Sequence, residues 1–220
     1  MIHPNMATML AFIATDAAID PDLLRSILRP AVDDSFNMIS VDGDSSTNDT
    51  VLFLANGASG VPVEPDSELV DEFARAFGVL CAHLAREIVR GGEGVSKVFA
   101  VTVKGASSLT QARTIARSVT SSNLFKAAVH GSDPNWGRIL CAAGYSGANF
   151  DLDRTDVWIG PFRVFGGGIP QEYSEVDASR YLDGPESEVV IDLHTGRFEA
   201  VAWGCDLSKE YVEVNADYTT

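Results

Sequence analysis

Apolar and polar positions change period several times along the chain, and each change marks an element. Thr8 to Thr15 (TMLAFIAT) has the length and composition of a buried strand. Pro21 then suits a helix start. Leu23, Leu24, Ile27 and Leu28 recur near helical spacing, with Ala31 and Val32 beyond Pro30, a residue expected to end or kink the helix. After the polar loop VDGDSSTNDT, Val51 to Ala55 is a continuous apolar run, read as another buried strand. From Asp66 onward, Leu69, Phe73, Phe77, Leu80, Leu84 and Ile88 step by three and four residues, which predicts one face of a long helix stopped at Gly91 and Gly92. Val98 to Lys104 (VFAVTVK) alternates as a half-buried strand. Ser108 and Gln111 stand in capping-box spacing before an amphipathic helix through Ala112, Ile115, Ala116 and Val119.

Beyond about residue 150 the pattern turns to short β segments between Gly and Pro turns, at Val157 to Ile159, Phe162 to Phe165, Glu188 to Asp192 and Phe198 to Trp203. These read as a smaller sheet, and Tyr211 to Val214 (YVEV) alternates like a further strand. The expected fold class is therefore α/β (α+β) and layered. A domain change is placed near residue 106, giving a first unit over 1–106 and a smaller α/β unit over 107–220.

With 220 residues, 45% of them hydrophobic and 21% charged, the chain can bury one good core or two small ones. No apolar window has the length needed to cross a bilayer, and Met1 to Ala7 lack the pattern of a secretory signal, so a cytoplasmic location is expected. Cys81, Cys141 and Cys205 are odd in number and widely separated, which suggests buried free thiols rather than disulfides or a zinc site. The formal net charge of -15 argues against nucleic-acid binding, since phosphate neutralisation needs a basic surface. A small-molecule substrate is the better expectation.

Several strings could carry chemistry. Thr8 follows the small Ala7 and opens an apolar run; most such threonines begin a strand, but cleavage of the Ala7–Thr8 bond would give the hydroxyl its own α-amine as base. The loop Asp42 to Thr50 gathers hydroxyls and carboxylates. Asp42, Asp44, Ser46 and Asn48 imitate the start of a calcium loop, yet Phe53 stands at the twelfth position, where a glutamate is required. A solvated turn is the commoner outcome, and a pocket wall built from hydroxyls is the alternative. In GGEGVSK, Gly91 to Lys97, Glu93 could hold an ammonium group or simply follow a helix stop. GSDPNWGRI, Gly131 to Ile139, is dense in turn chemistry, with His130 beside it. Gly166 to Gly168 lacks the context of a dinucleotide fingerprint, and His3, His83 and His194 suggest no triad. NADYTT ends the sequence with Asn215 and Thr220, tied down if YVEV is a strand.

Taken in order, MIHPNMATML, VDGDSSTNDT, GGEGVSK, GSDPNWGRI and NADYTT resemble the glutamate N-acetyltransferase, or ornithine acetyltransferase, family of arginine biosynthesis over the whole 220 residues. The resemblance implies an αββα-type layered sandwich with N-terminal-nucleophile-like processing and a second, smaller α/β domain. It implies self-cleavage at Ala7–Thr8, with Thr8 as nucleophile and Thr8, Glu93, Asn215 and Thr220 as substrate contacts. Further contacts and the oxyanion hole would come from an upstream chain, the family's lysine falling just before Met1, so the site within this sequence is expected to be incomplete. The implied reaction moves acetyl from N-acetylornithine to glutamate through an acetyl-threonine, without metal or organic cofactor, with acetyl-CoA as a possible second donor. The partners implied are the upstream chain, in a heteromer that pairs further, and the small substrates, with no nucleic acid or membrane. Two other readings are a self-processing amidase or aminopeptidase of the same fold, and a non-catalytic half that serves as a structural partner.

Overall fold

A computed structural model describes residues 1–3 and 9–217. Its elements are β1 (Leu10–Thr15), β2 (Ala18–Ile19), α1 (Pro21–Asp33), β3 (Ile39–Ser40), β4 (Thr50–Ala55), β5 (Pro62–Val63), α2 (Glu68–Arg90) and β6 (Val98–Ala106). There follow α3 (Leu109–Thr120), α4 (Asn123–His130), α5 (Trp136–Gly144), β7 (Asp156–Ile159), β8 (Phe162–Gly166), β9 (Ile169–Pro170), α6 (Glu175–Leu182), β10 (Glu186–Asp192), β11 (Phe198–Cys205) and α7 (Lys209–Asp217). The fold is mixed α/β, as the sequence predicts.

A seven-stranded sheet in the order β3-β11-β6-β10-β7-β8-β9 forms its frame. The segments after residue 150 do not make a sheet of their own. Strand β6, which ends at the expected domain change, pairs parallel with β10 and antiparallel with β11. Alternation explains why β6 is central: Phe99, Val101 and Val103 are buried on one face, whereas Ala100, Thr102 and Lys104 on the other are only partly covered. Onto the buried face pack Ala112, Ile115, Ala116 and Val119 of α3 and Ile139, Ala142 and Ala143 of α5. Ser108 caps α3 by accepting from the Gln111 amide at 3.1 Å, and Gln111 reaches back to the Ser107 amide at 2.8 Å.

A second core joins β1, β4, α1 and α2. Here β1 and β4 make a parallel pair of two strands, in register from Leu10↔Thr50 to Thr15↔Ala55. Both read as strands buried throughout; the structure buries one face only. Met9, Ala11 and Ile13 turn inward, and Phe53 stacks on Phe77 at 4.2 Å between centroids. Leu10, Phe12, Leu52 and Leu54 turn outward and are 62%, 65%, 42% and 58% exposed, because no layer of this chain's described residues lies over them.

Three further expectations change. Pro30 does not end α1, which runs on to Asp33; Ser26, whose carbonyl loses its helical donor to Pro30, is solvent-exposed, so the lost bond is cheap. The buried line of α2 is Phe77, Cys81, Ala85 and Val89, while Leu69 and Leu80 are exposed: the small side chains of Cys81 and Ala85 allow the close approach, and the packed face turns toward them. Tyr211 to Val214 is helical, within α7, whose Val212 and Val214 face solvent; Ser208 starts that helix by accepting from the Tyr211 amide at 3.0 Å. Of the thiols, Cys81 and Cys205 are buried but Cys141 is exposed, and burial pushes the Cys81 thiol up to about 11.

Phe99 meets Phe125 edge-to-face at 5.1 Å in the larger core. Phe99→Ala is expected to destabilise the fold by about 3–5 kcal/mol, measured by urea denaturation of the assembled protein.

Candidate active site

The site is assembled around the loop between α2 and β6. After Arg90 the helix stops at Gly91, and Gly94 adopts φ +66, a conformation that suits glycine. A Cβ on Gly94 would stand 2.4 Å from the Tyr211 amide nitrogen, so the missing side chain lets α7 rest directly on this loop. Ser208 donates to the Gly94 carbonyl at 2.6 Å and completes the joint.

Through this joint two residues far apart in sequence meet. The Asn215 side-chain amide donates to Glu93 Oε2 at 3.2 Å and to the Tyr211 carbonyl at 2.9 Å. Both side chains are exposed at the meeting point, open to a ligand. Of the expected site residues the structure therefore brings Glu93 and Asn215 together. Ala7, Thr8 and Thr220 lie outside the described residues.

The same loop is anchored to a carboxylate that sequence reasoning does not select. Asp206, with a fully buried side chain, accepts from the Ser96 amide and the Lys97 amide, each at 2.9 Å, from Ser96 Oγ at 2.5 Å, and from His130 Nδ1 at 2.7 Å. Burial by itself would raise this carboxyl, but the bonds from Ser96, Lys97 and His130 outweigh it and hold the acid below its ordinary value. Lys97 in turn donates to Ser132 Oγ at 2.6 Å, so GGEGVSK and GSDPNWGRI are two halves of one structural joint. Trp136 of the latter stacks on Phe165 at 5.3 Å and opens α5, with Asn135 capping by accepting from the Arg138 amide.

The polar loop Asp42 to Thr50 borders the same region. Burial is the first influence on the Tyr211 phenol and raises it, and the nearby carboxylates Asp42, Asp44 and Glu93 push it further the same way. The loop also holds both flanks of residues 4–8. Asp42 Oδ1 accepts from the Ile2 amide at 2.9 Å, Ser45 donates to the His3 carbonyl at 3.1 Å, and Asp49 Oδ1 accepts from the Met9 amide at 2.6 Å. His3 itself is held between Ser40 Oγ at 3.0 Å and Arg117 at 3.1 Å; burial, then the Arg117 charge, lower its basicity. Among the described residues no three His, Cys, Asp or Glu side chains are grouped to hold a metal ion.

The ArgJ family model matches residues 1–220. This chain belongs to the ArgJ family. An arginine biosynthesis bifunctional protein from Symbiobacterium thermophilum is 54% identical over 100% of this chain and 55% of its own length. The one from Dehalococcoides mccartyi is 48% identical over 100% of the chain and 55% of the relative. The crystal structure of the arginine biosynthesis bifunctional protein from Bacillus halodurans superposes with a TM-score of 0.93 at 39% identity, covering 96% of this chain and 100% of that one. The ArgJ-family chain thus spans just over half the length of the curated relatives it matches, and no helix among its described residues is long and apolar enough to cross a membrane.

The lowered pKa of Asp206 fixes the sign of a pH effect. Its folded-state pKa lies below the ordinary 3.8, so its stabilisation is present above that pH and is lost as pH falls through the folded value. The stability gap between the native protein and Asp206→Asn is expected to be widest near neutrality and to close below about pH 4, read from denaturant midpoints across pH.

Proposed function

We propose that this chain is the downstream half of an acetyltransferase that moves acetyl from N-acetylornithine to glutamate in arginine biosynthesis, with Thr8 as nucleophile. The observation that carries the reading is the hydrogen bond between Glu93 and Asn215, which joins two of the expected substrate contacts across 122 positions of sequence. Glu93 supplies a carboxylate for the substrate's ammonium group, and Asn215 supplies an amide for its carboxylate. Thr220, a few residues beyond, is the fourth contact of the set.

The chemistry follows from the nucleophile. Cleavage of Ala7–Thr8 frees the Thr8 amine, which takes the hydroxyl proton as Oγ attacks the acetyl carbonyl. Collapse of the tetrahedral intermediate releases ornithine, whose leaving nitrogen receives that proton, and leaves an acetyl ester on Thr8. The neutral amine of glutamate then attacks the ester. Its proton returns to Thr8 Oγ through the α-amine, and N-acetylglutamate departs. Nucleophile and base are one residue, so the exchange needs neither metal nor organic cofactor. Acetyl-CoA is a second donor in this reading, in keeping with the word "bifunctional" in the relatives' names.

The half-covered strand pair supports an upstream chain as obligate partner. Parallel sheets are normally covered on both faces, and two strands are too few for an independent sheet. Leu10, Phe12, Leu52 and Leu54 present the apolar face that a further layer would bury, and the relatives carry a comparable length of additional chain. The oxyanion donors come from that partner. Free thiols at Cys81, Cys141 and Cys205 fit a reducing, cytoplasmic setting.

In the full-length precursor, intact-mass analysis is expected to show two fragments parted at Ala7–Thr8, and Thr8→Ala to give a single uncleaved chain without acetyl transfer. An active, uncleaved Thr8→Ala protein overturns the assignment. Glu93→Gln is expected to raise KM for the amino-acid substrates about tenfold, a loss of about 1.4 kcal/mol, with cleavage intact. Glutamate-independent deacetylation by the assembled enzyme would instead favour the amidase reading.

A further inference from the structure

We propose that Tyr211 is a specificity residue whose phenol hydroxyl contacts the side-chain end of both amino-acid substrates, an inference that rests on the acetyl transfer from N-acetylornithine to glutamate. The two substrates use one site in turn, and their side chains end in opposite charges: an ammonium in N-acetylornithine, a carboxylate in glutamate. Glu93 suits the first. The second is repelled by Glu93 and needs a donor that carries no charge of its own and can serve either partner.

Backbone packing brings Tyr211 to this place. Glu93 stands between two glycines, and each marks a close approach. A Cβ on Gly92 would lie 3.0 Å from Val41 Cγ1, so the loop rests on the residue before Asp42; a Cβ on Gly94 would lie 2.8 Å from the Tyr211 Cα. Tyr211 and Asn215 are one turn apart on α7 and share a face, joined by the bond from the Asn215 side-chain amide to the Tyr211 carbonyl at 2.9 Å. Since Asn215 also bonds Glu93 at 3.2 Å, that face is turned to the loop. The Tyr211 main chain is engaged on both sides, its N–H donated to Ser208 Oγ at 3.0 Å and its carbonyl accepting from Asn215. Its hydroxyl makes no hydrogen bond among the described residues. The charges that act on the phenol are those of Asp42, Asp44 and Glu93, with the Cys205 thiol beside them; burial first, then these acids, raise it above its ordinary value and so keep the O–H in place. Asp42 is already turned to the Ile2 and Asp44 amides, which leaves Glu93 as the acid offered to a ligand.

A phenol hydroxyl donates and accepts with the same oxygen. Toward N-acetylornithine, Glu93 pairs with the side-chain ammonium and Tyr211 Oη accepts another of its N–H groups. Toward glutamate, the hydroxyl rotates and donates to the γ-carboxylate, offsetting the acids around it. Turning one O–H therefore changes the site from cation to anion recognition, with no proton transferred and no bond made or broken at Tyr211. Phenylalanine at this position would keep the ring and lose both contacts, and glutamate, which gains nothing from Glu93, loses the more.

The test uses Tyr211→Phe in the full-length enzyme, with glutamate and L-norvaline as competing acetyl acceptors; norvaline has a methyl group in place of the γ-carboxylate. KM for glutamate is expected to rise about tenfold and KM for N-acetylornithine by less, and the ratio of kcat/KM for glutamate over norvaline to fall about tenfold. A merely structural loss lowers both acceptors alike, so an unchanged ratio overturns the proposal whatever the absolute rates. If the variant fails to assemble, the native enzyme labelled with ¹³C at the tyrosine ζ carbons is titrated by NMR. A tyrosine signal that shifts saturably with glutamate and not with norvaline supports the assignment, and no such signal overturns it. The native enzyme separates the two levels: failure to form N-acetylglutamate from N-acetylornithine and glutamate removes the acetyl-transfer reading and this proposal with it, whereas its formation beside an unchanged ratio in Tyr211→Phe removes only the role of Tyr211.

Discussion

The burial of one carboxylate organises the region around the candidate site. Asp206 follows the last residue of β11, and its side chain is closed off from solvent, so it must collect donors from whatever packs nearby. It takes two backbone amides and a hydroxyl from the loop after α2, and an imidazole from the end of α4. Those bonds define the path of GGEGVSK, which defines where Gly94 presents its bare backbone, which in turn defines where α7 can lie. The meeting of Glu93 and Asn215 is the last link of that chain. An ionised acid in the interior thus acts as a template for three separate segments, since leaving any of its oxygens unsatisfied would cost more than the conformational freedom given up.

Much of the fold can be read from periodicity, and the reasons are visible in particular elements. Strand β6 alternates cleanly because one face meets α3 and the other is half-open, which is the situation that period two encodes. Helix α3 has both its cap and its apolar face in sequence. Helix α2 has the period but not the phase: large residues attract attention, whereas the contact is centred on Cys81 and Ala85, whose small size is what permits the approach. Helix α7 defeats the pattern altogether. It buries no side chain, so its alternating valines carry no information about packing, and its position depends on backbone contact with Gly94.

The site divides in the same way. Glu93 and Asn215 are picked out in the sequence through the family resemblance of GGEGVSK and NADYTT, and their proximity is a tertiary fact that no spacing of 122 residues could convey. Asp206 sits in an ordinary stretch, GCDLSK, and its importance comes entirely from what surrounds it. Asp49 stands within VDGDSSTNDT as one of several acids, and only the fold shows that it accepts from the Met9 amide at 2.6 Å. A charge cluster in sequence therefore gives the inventory, and the fold gives each acid its partners.

The open face of β1 and β4 bears on how such a protein can be made. Neither Leu10–Thr15 nor Thr50–Ala55 contains a charged residue, and both are rich in the branched and aromatic side chains that favour strand stacking between molecules. Left uncovered during synthesis, this pair is a template for self-association, with no lysine, proline or bulge within it to discourage a neighbour. Whatever layer covers Leu10, Phe12, Leu52 and Leu54 removes that template together with the exposed apolar surface.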